Sequence, residues 1–147
     1  MRFHMNEDSI KLLKECYSGC TMATNSINQV QEFVKDDSLS TLLEEYKNEH
    51  EHLKEQSCEY LKKAGENGKM PCVMASAFSW ITAEMKLLVK NDNTHIAKLM
   101  MDGCNMGIQS IGEYLNKYHN ACDNAIKLAK ELIRSEEEFS KKMENFL

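Results

Sequence analysis

The sequence predicts an all-α fold: a four-helix bundle made of two pseudo-symmetric helical hairpins joined by a shorter crossover helix, in a single domain spanning 1–147. Three observations carry this expectation. Apolar residues recur every three or four positions over long stretches, which is the spacing that bundle packing needs. Helix breakers are few and fall between those stretches. A motif, Gly-Cys-x-Met-x-x-x-Ser-Ile, occurs twice, from Gly19 to Ile27 and from Gly103 to Ile111.

The first hairpin is expected over 8–64, as helices 8–34 and 38–64 separated by the turn and cap signal Asp36-Asp37-Ser38. Its first helix carries the seam Ile10, Leu13, Tyr17, Cys20, Thr24, Ile27; its second carries Leu39, Leu43, Tyr46, His50, Leu53, Ser57, Tyr60. The loop Gly65-Glu66-Asn67-Gly68-Lys69 precedes Pro71, the sole proline, and a shorter helix over 72–90 containing Trp80 follows as the crossover. Asn91-Asp92-Asn93-Thr94 supplies the next cap signal. The second hairpin covers 94–146, as helices 94–119 and 122–146 around a turn at Asn120 to Asp123. Its seams run Ile96, Met100, Gly103, Gly107, Ser110, Tyr114 and Ala125, Ala129, Leu132, Glu136, Phe139, Met143. Spacings of three and four sustained over several turns are those of knobs-into-holes packing.

The repeat relates the hairpins. A shift of 84 residues superimposes Lys14, Gly19, Cys20, Met22, Ser26 and Ile27 on identical residues at Lys98, Gly103, Cys104, Met106, Ser110 and Ile111. A shift of 86 matches the other two seams, Leu43 with Ala129, Tyr46 with Leu132 and His50 with Glu136. Two hairpins about a pseudo-two-fold axis are the simplest reading.

Composition bounds the function. With 42% apolar and 28% charged residues the chain has the balance of a globular protein. The formal charge is −5, with lysines and glutamates interspersed and no basic, aromatic-interleaved patch, which argues against a nucleic-acid partner. Residues 1–8 lack an apolar core of signal-peptide length, and no later stretch has the length and apolarity of a membrane span. Six cysteines in that context are expected to be reduced thiols in the cytoplasm, and no Cys-x-x-Cys pair suggests a zinc ribbon.

The stretch Leu12 to Gly65, the run Thr94-His95-Ile96-Ala97-Lys98 through Met106-Gly107-Ile108, and Lys130-Glu131-Leu132-Ile133 resemble a group of small bacterial ferritin-like four-helix-bundle proteins of unknown function. The resemblance covers nearly the whole chain, but its motifs are packing motifs, so it implies a fold and no activity. A ferritin-like fold raises the question of a di-iron site, which takes a Glu from each of two helices and Glu-x-x-His from each of the other two. Here Glu49-x-x-His52 stands on the second helix, whereas the last helix has Glu131-x-x-Arg134 and the first and fourth have no acidic residue on their mid-bundle seams. That set is too incomplete for a di-iron enzyme, and Glu49 and His52 remain weaker metal candidates.

The seam phasing places His50, not His52, inward. His50 and Glu136 are the ionisable residues of the two seams, and both are expected at the depth of Cys20 and Cys104. Two readings of this layer stand. In one, imidazole and carboxylate satisfy each other as a structural polar layer that fixes helix register. In the other, His50, Glu136, Cys20 and Cys104 hold a single transition metal, a donor set suited to zinc or a similar ion. Met22, Met100, Met101 and Met106 near the same depth are either gap-filling core or soft ligands for copper(I) or a haem edge. Gly19, Gly103, Gly107 and Gly112, each costing about 1 kcal/mol in a helix, allow close backbone approach, mark a bulge or bare the backbone to a small ligand.

No nucleophile–base pair or phosphate loop stands out, and the sequence requires no cofactor. The favoured expectation is a non-catalytic cytoplasmic binding or interaction protein that self-associates as a homo-oligomer, a dimer. The alternative is a metal- or cofactor-binding bundle, for redox or storage, centred on His50 and Glu136.

Overall fold

A computed structural model describes residues 5–64 and 92–147. The expected crossover helix at 72–90 and the loop before it lie outside the described residues. Within these, all regular structure is helical: α1 Glu7–Gln31, α2 Asp37–Ala64, α3 Asn93–Lys117 and α4 Asp123–Met143, the last continued by a 3₁₀ turn at Glu144–Phe146.

The local chemistry explains where the helices begin. Asn6 caps α1, its side-chain oxygen accepting from the Ser9 amide at 2.9 Å, and Glu7 and Asp8 set negative charge against the positive end of the helix dipole. Asp36 caps α2 through the Leu39 amide at 2.9 Å, and Asp92 caps α3 through the His95 amide at 3.0 Å. Lys62 and Lys63 complement the other end of α2. The helix ends differ from expectation by at most three residues, chiefly because α1 stops at Gln31 and the last turn of the chain tightens to 3₁₀.

Polar contacts at the bundle ends set the directions of the helices. The turn after α3 is tied to the start of α1: Asn6 Nδ2 donates to the Asn120 carbonyl at 2.6 Å, and the Cys122 amide donates to Ser9 Oγ at 2.6 Å. At the opposite end Asn93 Nδ2 donates to Asp36 Oδ2 at 3.4 Å, bringing the start of α3 to the turn between α1 and α2. Helix α1 therefore runs antiparallel to both α2 and α3. Helix α4 pairs antiparallel with α3 and with α2, giving the arrangement of a four-helix bundle.

The core falls into two apolar clusters. Leu12, Leu13, Cys16, Leu53, Leu61 and Leu128 fill one end, and Ile27, Leu39, Leu43, Ile96, Phe139 and Met143 the other. Burying each such side chain stabilises the fold by about 1.5–3 kcal/mol. Between the clusters, at the middle of the bundle, lie His50 and Glu136, which belong to neither.

The seams are buried along α1, α2 and α4 apart from Ile10 and Tyr60, which are half-buried, but fail along α3. Ile96, Met100, Cys104 and Ile111 are buried there, but Ser110 is exposed and Gly103, Gly107 and Tyr114 are half-buried. The spacing is that of a core-facing stripe, yet glycine and serine are too small to fill the gap they face. Among the described residues, no helix is long and apolar enough to cross a membrane.

Candidate functional site

Every described α-helix sends a polar or sulfur-bearing side chain to the middle of the bundle: Cys20 from α1, Tyr46 and His50 from α2, Cys104 from α3 and Glu136 from α4. His50 is fully buried and Glu136 is 5% exposed. A buried carboxylate needs partners, and Glu136 finds them in His50 and Tyr46, with the Cys104 thiol as a weaker third. His50 Nε2 lies 2.5 Å from Oε1, and the Tyr46 hydroxyl lies 2.6 Å from both carboxylate oxygens. Tyr46 and His50 occupy positions i and i+4 of α2 and so share its inner face.

The proton inventory follows from the partners. His50 Nδ1 is 2.9 Å from the Tyr46 carbonyl oxygen, which only accepts, so Nδ1 carries a hydrogen and donates it. A single proton then lies between Nε2 and Glu136 Oε1. Whichever partner holds it, the pair is neutral overall. Tyr46 donates its one hydroxyl hydrogen to the carboxylate, and its ring is packed between Phe139, with centroids 3.8 Å apart, and the His50 imidazole at 3.9 Å. These contacts lock the ring that orients the carboxylate.

The thiols respond to the same environment. Burial pushes the Cys104 thiol well above its usual range, and the Glu136 carboxylate beside it pushes in the same direction, against a smaller opposing effect of the Tyr46 hydroxyl. Cys20 is also driven up, mainly by burial and in part by the neighbouring Cys16 and by Glu136. Burial raises Tyr46 too, with the Glu136 charge next in size. Both cysteines are therefore protonated, inert thiols at neutral pH.

Of the four leading candidates, His50 and Glu136 are in direct contact and Cys104 lies beside the carboxylate, whereas Cys20 meets Glu136 only through its charge. Glu49 and His52 do not join them; both are exposed on the outer side of α2. Among the described residues no group of three or more His, Cys, Asp and Glu side chains is placed to hold a metal ion. Both nitrogens of His50 are already engaged within the protein. The expectation of six reduced thiols also needs correction: Cys16, Cys20, Cys104 and Cys122 are free, but Cys58 is disulfide-bonded.

Two features of the site are not evident from periodicity. On its seam Tyr46 reads only as a core residue, although a buried tyrosine hydroxyl one turn from a seam histidine calls for a polar partner. The second is a pocket of about 160 Å³ between α1 and α3, with Tyr46, Cys104 and Glu136 among its lining residues. Its signal was the run of glycines and serines on facing seams. A Cβ added at Gly107 would lie 3.4 Å from Glu136 Cδ and 3.6 Å from Oε2. The carboxylate thus sits directly behind a bare stretch of α3 backbone.

Compared with protein-family models and with curated proteins, the chain matches none.

Proposed function

We propose that this chain is a ferritin-like bundle of two pseudo-symmetric hairpins that serves as a non-catalytic cytoplasmic binding protein, with its ligand in the pocket between α1 and α3. The observation that carries the reading is the identity of the pocket walls. Gly19, Met22 and Ser26 line one side, and their repeat counterparts Gly103, Met106 and Ser110 line the other. The duplicated motif is thus a pair of facing walls. Helix-interior glycine costs about 1 kcal/mol relative to alanine, and protein interiors are otherwise close-packed, so a gap lined by repeated small residues suits occupancy by something else. The His50–Glu136–Tyr46 network forms a rigid polar floor beneath it. With Cys104 held as a neutral thiol and His50 engaged at both nitrogens, no activated nucleophile among the described residues faces the pocket.

Thermal-shift screening of the purified chain against small polar fragments tests this. The reading expects mutually competing ligands that raise the melting temperature, an effect abolished in Met22→Trp, which fills the pocket while leaving the helical circular dichroism intact. A complete lack of competing ligands overturns it.

A second reading, a metal- or cofactor-binding bundle for redox or storage, is supported by the delivery of Cys20, His50, Cys104 and Glu136 to one level by four different helices. Elemental analysis of protein purified without a metal-affinity tag decides it. Stoichiometric metal that disappears in both His50→Ala and Glu136→Ala establishes this reading over the first; metal-free wild-type protein removes it.

A further inference from the structure

We propose that the pocket takes a small organic monocation, a protonated primary amine on a compact apolar body, whose ammonium group hydrogen-bonds Glu136 Oε2 through the gap at Gly107. The inference rests on the pocket being the binding site and adds the chemistry of its occupant.

Charge balance is the first argument. Among the described residues, the charged groups lining the pocket are Glu15 and Glu136, with no lysine, arginine or histidine beside them. The His50–Glu136 pair is neutral overall by its proton inventory, so Glu15 leaves the cavity one negative charge. That charge is felt locally, for it is the largest influence raising the Tyr114 hydroxyl, another lining group. A monocation balances it, whereas an anion would face two carboxylates.

Acceptor geometry is the second. Oε1 is taken by His50 Nε2, both oxygens share the single Tyr46 hydroxyl hydrogen, and the Cys104 thiol is a further, weak donor to the carboxylate. A carboxylate oxygen has room for a further donor. Gly107 leaves that oxygen uncovered: the nearest side-chain atoms to its missing Cβ all belong to Glu136. The rest of the wall, Met22, Met100, Ile111 and the face of Tyr114, offers apolar and polarizable contact suited to the body of an amine. The volume of about 160 Å³ lies below the roughly 300–1,000 Å³ of drug-sized sites, which restricts the ligand to a small one.

The test compares butylammonium, 1-butanol and butyrate, which share a chain and differ in charge, with binding followed on the full chain by methionine-methyl NMR and thermal shift. Butylammonium is expected to saturate, moving the Met22, Met100 and Met106 methyl signals and leaving Met143, in the far core, unchanged. A charge-assisted hydrogen bond makes 1-butanol weaker by about tenfold, and butyrate should not bind. Gly107→Leu, which covers Oε2, should abolish amine binding, and Glu15→Gln, at a partly exposed position, should weaken it without unfolding the chain. Equal or tighter binding of 1-butanol, or undiminished amine binding in Gly107→Leu, overturns the monocation and leaves the pocket reading standing. If fragment screening also gives no competing ligand, the pocket reading itself has failed.

Discussion

His50 Nε2 and Glu136 Oε1 meet at 2.5 Å in the middle of the bundle, joining α2 to α4 across 86 residues of sequence. The contact lies between two apolar clusters, and the Tyr46 hydroxyl closes the other side of the carboxylate. Its energetic role is asymmetric. Desolvating the two groups offsets much of their attraction, but removing one strands the other.

Single replacements should therefore be far worse than joint ones. His50→Ala or Glu136→Ala is expected to cost about 3–5 kcal/mol in urea unfolding. Tyr46→Phe removes one charge-assisted hydrogen bond and should cost about 1.5–3 kcal/mol. The triple variant Tyr46→Phe, His50→Leu, Glu136→Leu leaves only the weakly polar Cys104 thiol without its partners and should recover most of the loss. A triple variant as unstable as the sum of its singles would show that the layer stabilises the fold outright.

Stability should fall steeply in alkali. Burial raises Cys16 to about 12 from 9.0 and drives Cys20, Cys104 and Tyr46 upward from 9.0, 9.0 and 10.0. A group raised on folding keeps its proton in the native state after the unfolded chain has lost it. Its contribution is complete below the unfolded value and is lost as pH rises toward the folded one. Once the three thiols ionise in the unfolded chain, unfolding free energy should drop by roughly 4 kcal/mol per pH unit. Urea midpoints between about pH 8 and pH 11 measure this, and Cys20→Ala should flatten the slope by one proton.

The glycines should separate by neighbourhood. Among the described residues, a methyl at Gly19 meets only Ile111 and Leu132 side-chain carbons at 3.8 and 3.9 Å, and at Gly112 it meets nothing within 4 Å. Gly19→Ala and Gly112→Ala should each stabilise the fold by up to about 1 kcal/mol. Gly107→Ala, pressed against Glu136, should gain less. Differential scanning calorimetry of the three variants checks the order.

Much of this site was legible in advance because helical periodicity fixes direction. A seam of threes and fours sends His50 inward and His52 outward, and the 86-residue offset pairs His50 with Glu136 before any coordinate is known. The caps at Asp36 and Asp92 are equally local, since an Asp oxygen reaches an amide three residues on. Periodicity says nothing, however, about rotation within a turn. Tyr46 sat on the same seam as the leucines, and only side-chain packing against Phe139 turned its hydroxyl onto the carboxylate.

By itself the sequence determined an all-helical chain, the faces its helices bury and the polar residues at their centre, because those properties depend on neighbours within a few residues. Tertiary structure alone decided which atoms of His50 and Glu136 meet, that Cys104 lies against the carboxylate, and that the two Gly-Cys-x-Met copies face each other across a gap. Those relations depend on the separation and rotation of whole helices, which are set by the combined packing of side chains distant in sequence.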